Sequence, residues 1–357
     1  MKTVFCFSPT GRRQILIAGR PYFAPKNLFV ELSSWQWTSP QRNGIERKTI
    51  LCPPWMEVSE NGGGSTALIR IFAFQSSSMH VLSLQNKENI RLHLAEWPTE
   101  PPRAVIALVH GQGEHIGRYA HLAAWYNRQG VAVVGLDLQG HGRSEGRRGH
   151  ARDLDALFDD IGLLLDETRR RYPQVPLFLY GHSMGGNLTL HYTARRQPAL
   201  HGLIATSPWI RLAFEAPALK VMAGRLLRHF LPTLSLPTGL TARFIAQDAA
   251  VVRAYETDPL VHNRLSASAG IVLLESAAWL NRYSGKFPTP LLLLHGTGDR
   301  IISAPATREF FGRVSGDVTH HEWPDLYHEL HNEREQEAVF AYTLAWLEKR
   351  IAVDAGF

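Results

Sequence analysis

The distribution of apolar residues changes at about residue 79. From there on, short apolar runs alternate with longer segments whose apolar residues recur at helical spacing. The runs predict eight strands, at 81–84, 90–97, 104–110, 131–137, 177–180, 202–206, 291–295 and 318–323. The first two alternate between apolar and polar positions, which is typical of a half-buried antiparallel pair. The third is apolar throughout, as expected of a strand buried on both faces of a sheet.

The segments between the strands have helical periodicity. Helices are predicted at about 118–129, 153–171, 187–196, 304–314 and 331–350. Strands that alternate with helices of this length predict an α/β fold, with a mostly parallel central sheet covered by helices on both faces.

This alternation lapses between about 207 and 287, after the sixth strand. Helical segments at 219–230 and 269–282 are joined there by proline-containing turns, which predicts a helical cap over the carboxyl edge of the sheet. Its apolar residues are numerous: Phe214, Leu219, Leu226, Leu227, Phe230, Leu231, Leu234 and Leu236. They indicate either ordinary core or an apolar face over an active site.

Residues 1–78 lack a sustained period of either kind. Two apolar patches, at 28–32 and 67–74, are candidate strands in a segment with glycine and serine tracts. We expect a weakly ordered extension, or translated sequence upstream of the native start, because Met79 directly precedes the first patterned strand. An anchor or a docking arm is the functional alternative. Residues 79–357 are predicted to form the main domain.

Charge and cysteine content narrow the function classes. The net charge is +6, but residues 1–78 carry nine Lys or Arg and four acids, so the main domain is nearly neutral. Nucleic-acid binding by that domain therefore has no electrostatic support. Both cysteines, Cys6 and Cys52, precede residue 79, which argues against a thiolate nucleophile or a Cys-ligated metal in the main domain. No signal peptide or membrane span is recognisable, so a cytoplasmic location is expected.

The turn after the fifth strand is the first candidate for chemistry. Residues 181–186 read GHSMGG and separate an apolar strand from a helical segment. Gly-x-Ser-x-Gly between a strand and a helix predicts a nucleophile elbow, which exposes Ser183 at the sheet edge. The glycines are needed because neighbouring backbone crowds the turn.

A serine nucleophile requires a base and an acid, which follow it in the order Ser, Asp or Glu, His on this kind of fold. Asp299 follows the seventh strand on a tight loop, and His328 follows the last strand. Asp258 and Asp325 are weaker candidates for the acid, and His331 competes with His328 for the base. The spacing of these two histidines is i, i+3, whereas the zincin helix needs i, i+4, so a metal site is not expected.

An acyl-transfer site also needs two backbone N–H donors for the oxyanion. The residue after the nucleophile, Met184, supplies one. Gln112, in the loop after the third strand, is predicted to supply the other.

Five separated motifs resemble the α/β-hydrolase superfamily, in particular its monoacylglycerol lipase and lysophospholipase branch of serine aminopeptidase S33 type. They are HGQGEHIGRY (110–119), DLQGHGRSEG (137–146), GHSMGGN (181–187), HGTGDR (295–300) and YHELHNE (327–333). The resemblance covers about 79–350 and implies a Ser183–Asp299–His328 triad, an oxyanion hole at Gln112 and Met184, and no cofactor.

The resemblance further implies that Glu114, Arg118 and His331 line a pocket for the leaving alcohol, glycerol in monoacylglycerol lipases. A charged pair and an imidazole suit a polyol, although Glu114 and Arg118 could also be a loop-bracing ion pair. The expected substrate is a small lipid ester, with transient membrane or micelle contact through the cap. The alternatives are a lysophospholipase, a broad carboxylesterase, an S33-type peptidase and a non-catalytic binding protein on the same fold.

Overall fold

The computed structural model describes residues 79–215 and 217–354, and before them the backbone of a few short strands. It divides into two units, Met1–Ser76 and Ser77–Phe357. In the first unit, Met56–Glu60 pairs antiparallel with Ala67–Ile71. The second of these strands lies in the predicted patch at 67–74, whereas the first was not predicted. The other patch, at 28–32, lies outside the described residues.

An eight-stranded sheet forms the centre of the second unit. We number its strands β1–β8: His80–Gln85, Arg91–Trp97, Ala104–Val109, Val131–Asp137, Leu177–His182, Gly202–Thr206, Leu291–Gly296 and Val318–Trp323. Their spatial order is β1-β2-β4-β3-β5-β6-β7-β8. β1 and β2 are antiparallel to their neighbours, and β3 to β8 pair in parallel. The predicted mostly parallel α/β fold is therefore confirmed.

Helices cover both faces of this sheet. In chain order they are α1 Ala120–Asn127, α2 Leu154–Arg171, α3 Met184–Arg196, α4 Ala218–Phe230, α5 Ala249–Thr257, α6 Ala267–Leu280, α7 Ala304–Arg313 and α8 Gln336–Asp354. One core packs apolar residues of α2, α3 and α7 against the sheet, and a second packs those of α1 and α8 on the opposite face. Alternate residues of each strand, such as Val105 and Ile106, belong to opposite cores, which explains why β3 is apolar throughout.

The segment after β6, which we call the cap (residues 207–287), holds α4, α5 and α6. Two short strands, Ser235–Pro237 and Arg264–Ser266, pair antiparallel within it. Neither α5 nor this pair was expected from the sequence. The apolar residues that open α5 are consecutive, at 249–252, and do not recur at helical spacing. The two strands have three residues each, too few for an alternation to repeat. Of the eight apolar cap residues singled out above, all but Leu227 are exposed to solvent, so they do not form ordinary core.

The last helix begins later than its periodicity suggests. α8 starts at Gln336, and His331 lies in a separate 3₁₀ turn, Leu330–Asn332. The Glu333 carboxylate accepts the backbone N–H of Tyr327, and the N–H of Glu329 donates to the carbonyl of Ile245 in the cap. Glu333 itself has an extended backbone, with φ −80° and ψ 167°, which ends the 3₁₀ turn and separates it from α8.

Candidate active site

The elbow at residues 181–186 holds its serine in a strained conformation. Ser183 has φ 54° and ψ −113°, between the end of β5 at His182 and the first residue of α3, Met184. A positive φ is unfavourable for a residue with a Cβ and persists only where the surroundings impose it. Although Ser183 is the N-cap of α3, its side chain makes no capping hydrogen bond. Its hydroxyl is therefore available to another partner.

Close backbone packing explains the glycines that flank this serine. A Cβ on Gly181 would lie 2.4 Å from the carbonyl oxygen of Gly185, and one on Gly185 would lie 2.3 Å from that of Val109. The strand, the helix and β3 therefore meet at a point where no side chain fits.

Ser183, His328 and Asp299 form one hydrogen-bonded chain. The Nε2 atom of His328 lies 2.8 Å from Ser183 Oγ, and its Nδ1 atom lies 2.7 Å from Asp299 Oδ2. Ser183 and His328 are 7% and 4% exposed, so bulk water is largely excluded from these contacts. This is the arrangement in which an imidazole can accept the proton of a serine hydroxyl.

The Asp299 carboxylate is stabilised in its charged form. Its Oδ1 accepts the backbone N–H groups of Ile301 and Ile302, at 2.8 and 3.0 Å, and His295 Nε2 lies 3.1 Å from its Oδ2. Burial alone would raise the pKa of Asp299, but the charge of His328 and the histidine hydrogen bonds lower it overall. Asp299 is therefore an anion at neutral pH.

Asp299 in turn affects His328. Burial by itself lowers the pKa of this imidazole, but the charge and hydrogen bond of Asp299 outweigh burial and raise it above the ordinary value. Ser207 Oγ donates to the backbone carbonyl of His328 at 2.8 Å and holds the residue from its main-chain side. His328 therefore has the position and the basicity of a general base.

Both predicted oxyanion donors flank Ser183. Met184 opens α3, where backbone N–H groups have no acceptor within the helix. Gln112 follows Gly111, on which a Cβ would lie 3.3 Å from the Cβ of Ser183. Gly111, the first residue of the loop 111–115, therefore lies directly beside the serine, at the side where an oxyanion donor is needed.

Glu114 and Arg118 belong to a buried ionic cluster whose third member is Glu329. Arg118 Nη1 donates to Glu114 Oε2 at 2.5 Å and to Glu329 Oε1 at 2.7 Å, and its Nη2 donates to Glu329 Oε2 at 2.6 Å. Burial by itself raises the pKa of Glu329, but the charge and hydrogen bonds of Arg118 outweigh burial and lower this pKa overall. Glu114 also accepts the N–H of Gly111 and the hydroxyl of Tyr119, both at 2.7 Å. These contacts match those of a loop brace.

His331 lies beside this cluster and is not hydrogen-bonded to Ser183. Its ring stacks on Tyr119 with centroids 4.4 Å apart and meets the edge of His182 at 4.9 Å. Both of its ring nitrogens are buried without a hydrogen-bond partner. Burial lowers the pKa of His331 to about 3, so the ring is neutral at physiological pH.

Glu114, His182 and Glu329 each present one potential metal-ligand atom, and these atoms lie within 4.8 Å of one another. The fit to a divalent cation is poor, because Arg118 already neutralises both carboxylates and occupies the space between them. The positive charge of the Arg118 guanidinium would repel a metal ion.

The structure separates the predicted residues into groups. It brings Ser183, Asp299 and His328 together. Asp258 is instead hydrogen-bonded to His115, at 2.9 Å. Asp325 lines a separate groove of about 700 Å³, together with Arg243, Arg253 and Arg300. Ser183 does not line that groove. The sequence reasoning missed Glu329, which directly follows His328. Its only sequence signal was its place in the motif at 327–333, directly after the predicted base.

Comparison with known proteins points to one family. The profile of the family "Serine aminopeptidase, S33" matches residues 100–335. An abhydrolase domain-containing protein of Dictyostelium discoideum is 37% identical over 77% of this chain, which spans only 29% of that protein. A monoacylglycerol lipase of Mycolicibacterium smegmatis is 32% identical over 76% of this chain and 98% of its own length. The crystal structure of the Paleococcus ferrophilus monoacylglycerol lipase superposes with a TM-score of 0.67 at 31% identity, over 72% of this chain and 99% of the other.

Within the described residues, none of the helices has both the length and the apolar character needed to cross a bilayer.

Proposed function

Because this chain belongs to the serine aminopeptidase S33 family and is a carboxylic ester hydrolase of its monoacylglycerol lipase-like branch, we propose that it cleaves monoacylglycerols into a fatty acid and glycerol. The observation that carries the proposal is the hydrogen-bonded chain Ser183–His328–Asp299 beside loop 111–115. The names of the similar lipases support the substrate class.

In the proposed reaction, His328 Nε2 accepts the hydroxyl proton of Ser183 while Oγ attacks the ester carbonyl. The N–H groups of Gln112 and Met184 stabilise the resulting oxyanion. The tetrahedral intermediate then collapses, His328 protonates the departing glycerol oxygen, and an acyl-enzyme remains on Ser183. Water activated by His328 attacks this ester and releases the fatty acid. No cofactor takes part in these steps.

We assign the alcohol side of the site to the neighbourhood of Glu114, Arg118 and His331. Glu114 and Arg118 make their hydrogen bonds largely to protein groups, whereas both nitrogens of His331 lack a partner. A buried, unpaired imidazole nitrogen gains a hydrogen bond when a hydroxyl group approaches. We therefore propose His331 as the group that meets glycerol, with Glu114 and Arg118 as its support.

We further propose that the cap contacts the lipid surface from which the substrate comes. Leu219, Met222, Leu226 and Phe230 follow one face of α4 and are each more than 60% exposed. Arg225 and Arg228 lie on the same helix. An exposed apolar stripe with basic neighbours is the pattern of a helix that lies in a membrane interface.

Labelling with a fluorophosphonate, combined with a substrate series, tests the proposal. The wild type should label and hydrolyse monoolein faster than lysophosphatidylcholine or p-nitrophenyl acetate, and Ser183→Ala should lose both labelling and turnover. Ser235→Ala, in the cap hairpin, is the control and should retain both. Labelling of Ser183→Ala would refute the nucleophile assignment, and a preference for lysophosphatidylcholine would refute the substrate.

A further inference from the structure

The cap is hydrogen-bonded to loop 111–115, which carries the proposed oxyanion donor Gln112. We propose that Asp258 of the cap is a positioning residue: through His115 it holds this loop, and with it the Gln112 N–H, beside Ser183. The inference rests on the proposed function, since it assigns a role in the same acyl transfer.

The contact between His115 and Asp258 is well defined. His115 Nε2 lies 2.9 Å from Asp258 Oδ2, and the two side chains are 10% and 25% exposed. The backbone N–H of Gly117 donates to His115 Nδ1 at 3.2 Å, so the proton of the neutral ring must be on Nε2. Nε2–H therefore donates to Asp258, and the contact does not require a charged histidine.

Asp258 is itself held in place at the end of α5. Its Oδ1 accepts the backbone N–H of Leu260 at 2.8 Å, and its carbonyl accepts that of Val261 at 3.1 Å. Its two carboxylate oxygens therefore have separate tasks: Oδ1 orders the turn of the cap, and Oδ2 binds His115. A carboxylate fixed in this way loses little entropy when it orients a partner.

Two more contacts join the same loop to the cap. The N–H of His262 donates to the carbonyl of Gly113 at 2.8 Å, and the side-chain amide of Gln112 donates to the carbonyl of Arg264 at 3.0 Å. Gly113 has φ +78°, and a Cβ there would lie 2.2 Å from the carbonyl oxygen of His262. The cap backbone therefore lies directly on the loop.

The remaining support comes from the body of the domain, where Glu114 accepts the N–H of Gly111. The loop is thus held at one end by Glu114 and at the other by His115. If the Asp258 contact is lost, the loop keeps the Glu114 contact and the cap contacts of Gln112 and Gly113, but its His115 end is no longer bonded to the cap. The N–H of Gln112 would then spend less time in the position that an oxyanion needs.

This predicts a specific kinetic defect. Removal of an oxyanion donor costs about 10²–10³ in kcat, and a displacement of about 1 Å costs up to about 10². We expect Asp258→Ala and His115→Ala each to lower kcat about 10- to 100-fold, with KM within about threefold of the wild type, because the defect is in the transition state. The acidic limb of the pH–rate profile, which belongs to His328, should not move.

The experiment is a double-mutant cycle with a rescue variant, on the full chain. Asp258→Ala, His115→Ala and the double variant should lose similar activity, because they remove the same contact. His115→Gln, whose amide can donate to Asp258, should recover most of it. Glu275→Ala breaks a different cap ion pair, Arg228–Glu275, and should leave kcat unchanged. Additive losses, or no recovery by His115→Gln, would overturn the proposal.

Hydrogen exchange measured by mass spectrometry separates this inference from the proposed function. In Asp258→Ala the peptide that contains residues 111–117 should exchange at least about tenfold faster, while peptides from β3 and β5 remain protected. This readout does not depend on hydrolysis. An inactive wild type would refute the proposed function alone, whereas unchanged exchange in loop 111–117 would refute the positioning role alone.

Discussion

At the scale of single residues, the site depends on the unusual backbone conformation of Ser183 and on the charge of the buried Asp299. Ser183 occupies an N-cap position but does not cap its helix, and its φ of 54° directs the hydroxyl to His328. Asp299 is buried, yet two backbone N–H groups and two histidines keep it charged. The surrounding structure therefore imposes an unfavourable backbone conformation on Ser183 and a buried charge on Asp299.

The pH dependence of catalysis follows from this arrangement. A general base acts in its neutral form, so kcat/KM should fall as the pH drops through the pKa of His328, which Asp299 raises above its usual value. In Asp299→Asn this charge is lost, so the acidic limb should move to lower pH while kcat falls by about 10⁴. A pH–rate series on p-nitrophenyl butyrate measures both effects.

Asp317→Asn changes an exposed carboxylate that pairs with Arg350. It is the matched control and should change neither quantity. An acidic limb that stays in place in Asp299→Asn would mean that another group sets the pKa of the base.

At the scale of secondary-structure elements, α4 differs from the other helices. Leu219, Met222, Leu226 and Phe230 lie on an outward face. The solvent-facing side of a helix is normally polar. Exposure of these four apolar side chains to water is therefore unfavourable unless a lipid surface covers them. Leu227 is only partly exposed and lies off this stripe.

Charged substitutions on α4 should separate surface binding from chemistry. Burial of a Leu or Met side chain contributes about 1.5–3 kcal/mol, so Met222→Glu combined with Leu226→Glu should weaken partitioning into vesicles at least about tenfold. Turnover of emulsified monoolein should fall in parallel, and that of soluble p-nitrophenyl acetate should stay within about twofold, because the triad is unchanged. Vesicle co-sedimentation and the two rates measure these effects.

Phe311→Glu removes an exposed aromatic of α7, outside the cap, and should leave vesicle binding intact. Equal losses on monoolein and on the acetate ester would indicate damage to the fold and would contradict surface docking by α4.

At the scale of the whole molecule, we propose that residues 79–357 form the complete catalytic domain. The second compact unit begins at Ser77 and contains the sheet, the cap and every candidate site residue. It has two apolar cores of its own, one on each face of the sheet. A unit with its own core is expected to fold alone.

A chain of residues 79–357 should therefore fold and keep its activity. We expect its Tm within about 2 °C and its kcat/KM within about twofold of the full chain, because no proposed catalytic residue is removed. Thermal unfolding and the monoolein assay measure both. Insoluble expression, or a drop in Tm well beyond this range, would show that residues 1–78 contribute to the stability of the domain.

The sequence alone determined the sheet, because strands buried on both faces must be apolar throughout and their order with helices leaves few topologies. It also determined the identity and order of Ser183, Asp299 and His328 as candidates, because the elbow requires glycine and each residue follows a strand end. Periodicity did not predict α5, whose first apolar residues are consecutive, or the cap hairpin, whose strands have only three residues each.

The tertiary structure decided what each polar residue contacts. Glu114 and Arg118 fitted an alcohol pocket or a brace equally well in sequence, and no pattern indicated that Arg118 also binds Glu329, 211 residues away. Likewise, the sequence indicated Asp258 only as a weak candidate for the triad acid. Its contact with His115, 143 residues away, is visible only in the fold. A hydrogen bond between distant segments produces no pattern in the sequence, because it depends on how the backbone between the two segments is folded.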